Sequence, residues 1–227
     1  MIRITRRIFG ALAAGLSMPR RSVAAPESSN PLAIQPEKLV ADMKRIDTWL
    51  AAHAPPRFLP IYREPASLEQ ITQAEREIGV QFHPDLHALL SFTNGATSSS
   101  PSLAGAFGLM TLDEMVSAYK FLLEEFPGGK NLENPNHAPI DADVGVRPVW
   151  WWPKWIPFME NGGGDYLCVD MDPTAGGNLG QIVIYYHDEA FRRRDAQSIG
   201  EMFARIADGL ETGTYTFNLN HRMIAKR

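Results

Sequence analysis

The sequence predicts an α+β fold, a single domain in which helices flank a central antiparallel or mixed sheet. Segments with helical periodicity dominate the first half of the chain, whereas runs of β-branched and aromatic residues cluster after residue 150. This order is typical of α+β rather than alternating βαβ folds. The length of 227 residues, of which 44% are hydrophobic, is enough for one sizeable core.

Residues 1–25 come first and have the three parts of an export signal. Three arginines precede an apolar run over residues 8–18, and the sequence SVAA at 22–25 supplies small residues for cleavage. The apolar run is too short to span a bilayer, and TRRIF resembles a twin-arginine signal. The alternative is a membrane-anchoring or ordinary amphipathic N-terminal helix. We therefore expect a periplasmic or secreted protein that keeps no stable membrane anchor after cleavage.

The next residues, 26–36, are polar and rich in proline, and we expect them to form a flexible leader before a folded domain over 37–220. Without residues 1–25, which hold five arginines and no acidic residue, the chain has an excess of about nine acidic groups. This acidity argues against a nucleic acid as partner, because a phosphate backbone is bound by a basic patch. Cys168 is the only cysteine, so no intrachain disulfide can form.

Amphipathic periodicity and helix-start signals predict five helices. The first spans 37–52, and a short one begins at Pro84 and ends before Asn94 and Gly95. Each of the other three begins where a hydroxyl and an amide or carboxylate stand three residues apart, which is the spacing of a capping box. These pairs are Ser67 with Gln70, Thr111 with Glu114, and Ser198 with Glu201, and they open helices over 68–78, 112–126 and 199–210.

Four segments have the composition of strands and are bounded by turn residues. A long hairpin connection joins the last two of them, so we expect these two to pair in antiparallel fashion. The four segments are AFGLM at 106–110, WIPF at 155–158, YLCVDM at 166–171 and QIVIYYH at 181–187.

The triple glycine 162–164 invites comparison with a phosphate-binding loop. Such a loop needs a lysine and a hydroxyl at the start of a helix, whereas Asp165 and then a strand follow here. The carboxylates of Asp165, Asp170 and Asp172 could collect calcium, but the spacing of a calcium loop and its closing glutamate are missing. We therefore expect these aspartates to fix turns, and we expect neither a metal nor a cofactor.

Catalytic signatures are also missing from the sequence. His83 and His87 stand four residues apart, but Pro84 lies between them and the glutamate of a zinc protease motif is absent. No nucleophile elbow occurs, and no serine or cysteine has a base that the sequence places beside it. The sequence thus predicts a protein that is not an enzyme.

Four of the five tryptophans lie close together, at 150–155. Tryptophan is enriched at the centres of binding surfaces but is also a common core residue. Trp155 begins an apolar strand and is expected in the core, whereas one or two of the preceding three should be exposed. The candidate partner-binding residues are Trp150, Trp151, Trp152, Asp165 and Asp170.

Several motifs occur in an order that resembles one known family, the SUKH superfamily, and specifically its Smi/Knr-type domain. The resemblance covers roughly residues 67–217. It rests on Glu75 with Gly79, Pro84 with Asp85, Asn94 with Gly95, Trp155 to Phe158, Gly163 to Asp165, Asp170 to Pro173, and Gly180 to Val183. It implies structural roles for Glu75, Asn94, Gly95, Trp155, Gly164 and Gly180.

The resemblance also implies a function, that of a non-enzymatic protein-binding domain. Bacterial members are similar to immunity proteins that neutralise a cognate toxin, and fungal relatives act as regulators of cell-wall synthesis. With the predicted signal, the first hypothesis is an exported immunity protein whose partner is a toxin. The alternative is a periplasmic scaffold or a binding module concerned with the cell envelope or cell wall. An enzyme of unrecognised type is a third hypothesis.

Overall fold

The computed structural model describes residues 35–126 and 140–227. The export signal predicted over 1–25 and residues 26–34 of the predicted leader lie outside the described residues. Five α-helices are α1 (Pro36–His53), α2 (Leu68–Ile78), α3 (Pro84–Phe92), α4 (Leu112–Glu125) and α5 (Ile199–Glu211). The strands are β1 (Gly108–Leu109), β2 (Asp141–Ala142), β3 (Trp155–Glu160), β4 (Tyr166–Asp170), β5 (Ile182–Tyr185), β6 (Phe191–Ala196), β7 (Tyr215–Asn218) and β8 (Met223–Lys226).

The main sheet has six strands in the order β1-β3-β4-β5-β6-β2. Neighbouring strands are antiparallel except for β2, which runs parallel to β6, so the sheet is mixed. A short turn joins β3 to β4, and a longer hairpin loop joins β4 to β5. Consecutive strands joined in this way pair in antiparallel fashion, because parallel neighbours need a crossover connection. The predicted α+β class and the predicted sheet are confirmed.

Three of the helices begin at the hydroxyl caps that the sequence predicts. Ser67 and Thr111 form reciprocal capping boxes with Gln70 and Glu114. At the start of α5 the Ser198 hydroxyl accepts from the Glu201 amide at 3.0 Å, but the Glu201 carboxylate accepts from the amide of Gln197 instead of that of Ser198. The hydroxyl half of the predicted third box therefore forms as expected, whereas its carboxylate half is displaced by one residue. Among the described residues, no helix combines the length and the hydrophobicity of a membrane span.

The sequence analysis missed four strands, and β6 is the most instructive of them. Its sequence FRRRDA reads as a polar loop, yet Arg192 is fully buried. The Arg192 guanidinium donates to the carbonyls of Trp150, Glu189 and Phe191, and its Cζ lies 4.9 Å from the ring centroids of both Trp150 and Tyr185. Hydrogen bonds and aromatic faces together make an arginine tolerable in the core.

The folded domain extends beyond the predicted boundaries of 37–220. Helix α1 begins at Pro36, inside the predicted leader. At the other end, β8 pairs with β7 along its whole length, and Ile224 of β8 is buried. The predicted boundary at 220 would remove this strand. MIAK is only four residues long, too short to show the alternating pattern that predicts a strand.

Candidate functional site

The tryptophan-rich segment and the connection between β4 and β5 form two loops, 143–154 and 171–180, which we call the paired loops. The Gly145 carbonyl accepts from the Thr174 amide at 3.0 Å and from the Gln181 side chain at 2.8 Å. Arg147 donates from Nε to the Asp172 carbonyl at 3.1 Å and from Nη2 to its carboxylate at 2.5 Å. Gly145 and Arg147 of the first loop therefore contact the start of the second loop and the residue that follows its end.

The expectation that Trp150 and Trp151 are exposed partner-binding residues is wrong, since the structure buries both. Arg192 fixes the Trp150 carbonyl and lies against its ring. The Trp151 ring packs edge-on against Tyr119, with the centroids 5.6 Å apart. Two consecutive residues can both be buried here because the segment lies outside any strand, where side chains need not alternate between faces. Trp155 is buried in β3, as the sequence predicts.

Trp152 is the tryptophan of this segment that reaches the surface, where it is half-buried. Its indole Nε1 donates to the Asp172 carboxylate at 3.0 Å. The Arg147 Cζ lies 4.3 Å from its ring centroid, within the range of a cation–π contact. One aspartate thus orients an arginine and a tryptophan, so these side chains are held in place before any partner arrives.

Asp170 cannot contact a partner either, because its side chain is fully buried. Its carboxylate accepts from the Asp172 amide at 2.9 Å and from the Gln181 side chain at 2.8 Å. Burial raises the pKa of Asp170, and these hydrogen bonds counteract that rise. Its role is the predicted one of fixing the turn that begins the second of the paired loops.

Asp165 likewise fixes the glycine turn between β3 and β4. One carboxylate oxygen accepts from the His187 amide at 3.0 Å and from its ring Nδ1 at 2.8 Å, and the other accepts from Asn161 at 2.6 Å. Burial opposes ionisation of Asp165, but these hydrogen bonds outweigh it and lower the pKa of Asp165. The hydrogen bond to Asp165 raises the pKa of His187. Gly164 lies in this turn, with its backbone next to the His187 ring.

Among the described residues, one group has the composition of a metal site. One ligand atom each of Asp165, His187 and Asp188 lies within 4.8 Å of the others. Both Asp165 oxygens already accept hydrogen bonds, one from Asn161 in the turn and the other from His187, which follows β5. We therefore assign this group to turn fixing.

The remaining paired-loop surface includes two exposed apolar side chains. Val144 is 75% exposed and Leu179 is 57% exposed. Val144 lies against Gly176, with its Cγ1 2.8 Å from where a Cβ would stand, so the two loops meet at this point as well. Sequence analysis missed both residues, because a single aliphatic residue in a loop has no periodic pattern to mark it.

The residues that the resemblance marks as structural lie at contacts between elements. The Glu75 carboxylate accepts from the Phe82 amide and from the His87 ring, both at 2.8 Å. The Asn94 side chain accepts from the Leu112 amide at 2.8 Å, and the Gly95 backbone lies against that of Met110 and Thr111. Together they fix α2, α3 and the start of α4 relative to one another.

The described residues form a groove between α2 and α4 and another between α1 and α3. The first is lined mainly by charged and amide side chains, and Lys120 spans it to Glu77 at 2.6 Å. The second is small and mostly apolar. Ser117 lines the first and Ser91 the second, but neither lining includes a histidine.

Three fungal proteins are similar to most of this chain. The "Cell wall assembly regulator SMI1" of Saccharomyces cerevisiae is 25% identical over 76% of the chain. The "Glucan synthesis regulatory protein" of Neurospora crassa is 21% identical over 78% of it, and the "Cell wall biosynthesis/cell cycle regulator smi1" of Schizosaccharomyces pombe is 20% identical over 83%. The matches cover 40%, 39% and 39% of these relatives, so the chain spans well under half of their length.

These relatives correct the expected localisation. The sequence analysis predicts a periplasmic or secreted protein from residues 1–25 alone, and those residues lie outside the described part of the chain. The relatives are named as regulators of cell-wall assembly and of glucan synthesis. A regulator of synthesis is a different kind of protein from an exported toxin-neutralising factor, and we discard the periplasmic assignment.

The family model of the SMI1 / KNR4 family (SUKH-1) matches residues 65–205. The match includes α2 to α4, the first half of α5, the whole six-stranded sheet and the paired loops. It begins close to residue 67, where the resemblance noted in the sequence begins. The chain belongs to the SMI1/KNR4 family.

Proposed function

We propose that this domain is a non-enzymatic protein-binding module in the regulation of cell-wall synthesis, and that its partner binds on the paired loops. The names of the three relatives refer to cell-wall assembly, glucan synthesis and cell-wall biosynthesis. These names support the cell-wall hypothesis better than that of an immunity protein, since none of them refers to a toxin.

One observation carries the choice of surface: the paired loops expose apolar side chains on a backbone that is held rigid. Val144 and Leu179 are exposed, while Gly145 and Asp172 join the loops beneath them. Exposed apolar side chains are typical of a protein interface, and the same loops carry the fixed, half-buried Trp152. A rigid surface also loses little conformational entropy when it binds.

Affinity capture with a matched pair of variants tests this proposal. The full chain and a Val144→Asp/Leu179→Asp variant are immobilised, and the proteins that each retains from an extract of the source cells are quantified by mass spectrometry. A Leu68→Asp variant is the control, because Leu68 is 72% exposed at the start of α2. It changes an equally exposed apolar residue outside the paired loops.

We expect the wild type and Leu68→Asp to retain the same proteins of cell-wall synthesis, and the paired-loop variant to lose them. A charge placed in a desolvated interface typically costs a few kcal/mol, enough to abolish capture. A partner set that all three proteins retain equally contradicts the proposed surface. A toxin as the specific partner supports the immunity hypothesis instead.

A further inference from the structure

A second surface of this domain is basic, although the chain as a whole is acidic. Acidic residues outnumber lysines and arginines by 26 to 22, and five of the arginines lie within residues 1–25. Arg57, Arg222 and Lys226 are all exposed. In the described part of the chain none of the three forms an ion pair with a carboxylate. Their charges therefore face solvent.

The two arginines meet at one aromatic ring. Phe58 is buried, and its ring packs edge-on against Phe217 of β7 at a centroid distance of 5.4 Å. The Arg57 Cζ lies 4.7 Å from the Phe58 centroid, and the Arg222 Cζ lies 5.2 Å from it. The same ring therefore contacts both guanidinium groups. We call Arg57, Phe58, Leu219, Arg222 and Lys226 the Phe58 surface.

The backbone of Arg222 has an unusual conformation. Its φ is +51°, and it is the non-glycine residue with positive φ in the described chain. This conformation costs roughly 1 kcal/mol or more in a residue with a side chain. Contacts on both sides hold it, since the Arg222 guanidinium donates to the Ser99 carbonyl at 3.2 Å and its own carbonyl accepts from Ser102 at 2.9 Å. The guanidinium is thus fixed in position.

Two further residues extend this surface. Lys226 pairs with Tyr215 at the end of β8 that is remote from Arg222. It shares a face of the hairpin with Ile224, but Ile224 is buried whereas Lys226 is exposed. Leu219, in the turn between β7 and β8, is 50% exposed. The surface therefore combines two cations at one ring, a third at the other end of β8 and one exposed apolar side chain, and none of these cations forms an ion pair within the described residues.

We propose that the Phe58 surface binds a short acidic segment of a protein partner, one in which aspartates or glutamates flank an apolar residue. Guanidinium groups pair well with carboxylates, often through two parallel hydrogen bonds. Three cations suit a short segment, whereas a nucleic acid needs a longer basic patch. The acidity of the rest of the chain repels a long polyanion and directs a short one to this surface. This site is separate from the proposed function, because it shares no residue with the paired loops.

A fluorescence-anisotropy titration tests the proposal with a labelled poly-glutamate oligomer as probe and poly-glutamine as the uncharged control. The proteins are the full chain, an Arg57→Gln/Arg222→Gln variant, and Lys44→Gln, which removes an exposed lysine of α1 that forms no ion pair within the described residues. We expect binding of poly-glutamate only, with an affinity that falls as salt rises. The double variant should bind at least about tenfold more weakly, which corresponds to about 1.4 kcal/mol.

Further variants separate a lost site from a lost fold. Lys226→Gln removes a charge without touching the Phe58 ring and should weaken binding in the same direction. Val144→Asp/Leu179→Asp should bind poly-glutamate like the wild type, so that failure of the paired-loop proposal is distinguishable from failure of this one. Equal binding of poly-glutamate by the wild type, the Arg57→Gln/Arg222→Gln variant and Lys226→Gln overturns the proposal. Tighter binding of an RNA oligomer or of phosphatidylserine vesicles than of poly-glutamate also overturns it.

Discussion

Gly180 illustrates how a single residue of a family motif acts through a neighbour that is remote in sequence. It has a φ of +84°, and a Cβ there would lie 2.6–2.8 Å from three atoms of the His83 ring. That ring is buried and accepts from the Asp85 amide at the start of α3, so it has no room to move. The close approach joins the second of the paired loops to α3.

Replacement of Gly180 by alanine should therefore lower the free energy of unfolding more than the same change at Gly79. Gly79 has a similar φ of +74°, but nothing lies within 4 Å of its Cβ position. Gly79→Ala carries the cost of the backbone conformation, about 1 kcal/mol. Gly180→Ala adds a steric cost of about 1–3 kcal/mol. Urea unfolding of the two variants measures the difference, and equal losses would show that the His83 contact contributes nothing.

Asp165 and His187 form a pair whose contribution to stability depends on pH. The hydrogen bond to Asp165 raises the pKa of His187 above its ordinary 6.5. The contribution of protonated His187 to stability is therefore complete below about pH 6.5 and is lost as pH rises through the raised pKa. The pKa of Asp165 is lowered below its ordinary 3.8. The contribution of ionised Asp165 to stability is therefore present above about pH 3.8 and is lost as pH falls through the lowered pKa.

We expect the stability difference between the wild type and Asp165→Asn to be largest between about pH 4 and 6.5 and to shrink above that range. The effect is small because the His187 side chain is half exposed and solvent screens its charge. An NMR titration is therefore the sharper measurement. The pKa of His187 should fall toward 6.5 in Asp165→Asn, whereas an unchanged value would mean that Asp165 does not control it.

The sequence could identify Trp155 as a core residue, but it could not tell which of Trp150, Trp151 and Trp152 are buried and which reaches the surface. Trp155 belongs to a strand, where the apolar pattern indicates burial. The other three lie in a loop, and there the orientation of each side chain depends on contacts distant in sequence. Arg192 determines the position of Trp150, and Asp172 determines that of Trp152. No local pattern reveals such pairs.

Among the elements, the helices were the most predictable, because their signals are local. Capping boxes and proline or glycine at the helix ends depend on residues within one turn of each other. The strands β2, β6, β7 and β8 were missed because they are short or polar. What makes β6 a strand is its pairing with β5 and the burial of Arg192, and both depend on the rest of the fold.

The caps themselves can be tested at the start of α4. The Thr111 hydroxyl accepts from the Glu114 amide at 3.3 Å, and the Glu114 carboxylate accepts from the Thr111 amide at 2.6 Å. Thr111→Ala should lower the free energy of unfolding by about 1 kcal/mol, and Thr111→Asn should restore most of it, because asparagine is also a good cap. Thermal unfolding compares the three proteins, and an alanine variant as stable as the wild type would rule out the cap as a source of stability.

For the whole molecule, the C-terminal hairpin determines where the domain ends. Ile224 is buried in the main core cluster. Its amide donates to the carbonyl of Ser102, in the segment before β1, and the Ser102 amide donates to the carbonyl of Arg222 in the hairpin turn. The hairpin also supplies Phe217, which packs on Phe58. A chain that stops at residue 220 loses β8 and leaves β7 without its hydrogen-bonding partner.

Truncation after Asn220 should therefore destabilise the whole domain rather than only shorten it. The effect has two parts, the loss of buried side-chain volume and the loss of strand pairing. Ile224→Ala in the full-length chain causes only the first and should lower the free energy of unfolding by about 2–5 kcal/mol. Truncation should cost more than Ile224→Ala, because it also exposes the backbone groups of β7 and the ring of Phe58 to water. Urea unfolding followed by tryptophan fluorescence measures both losses against the wild type. A truncated chain as stable as the wild type would place the end of the folding unit before β8, as the sequence alone predicts.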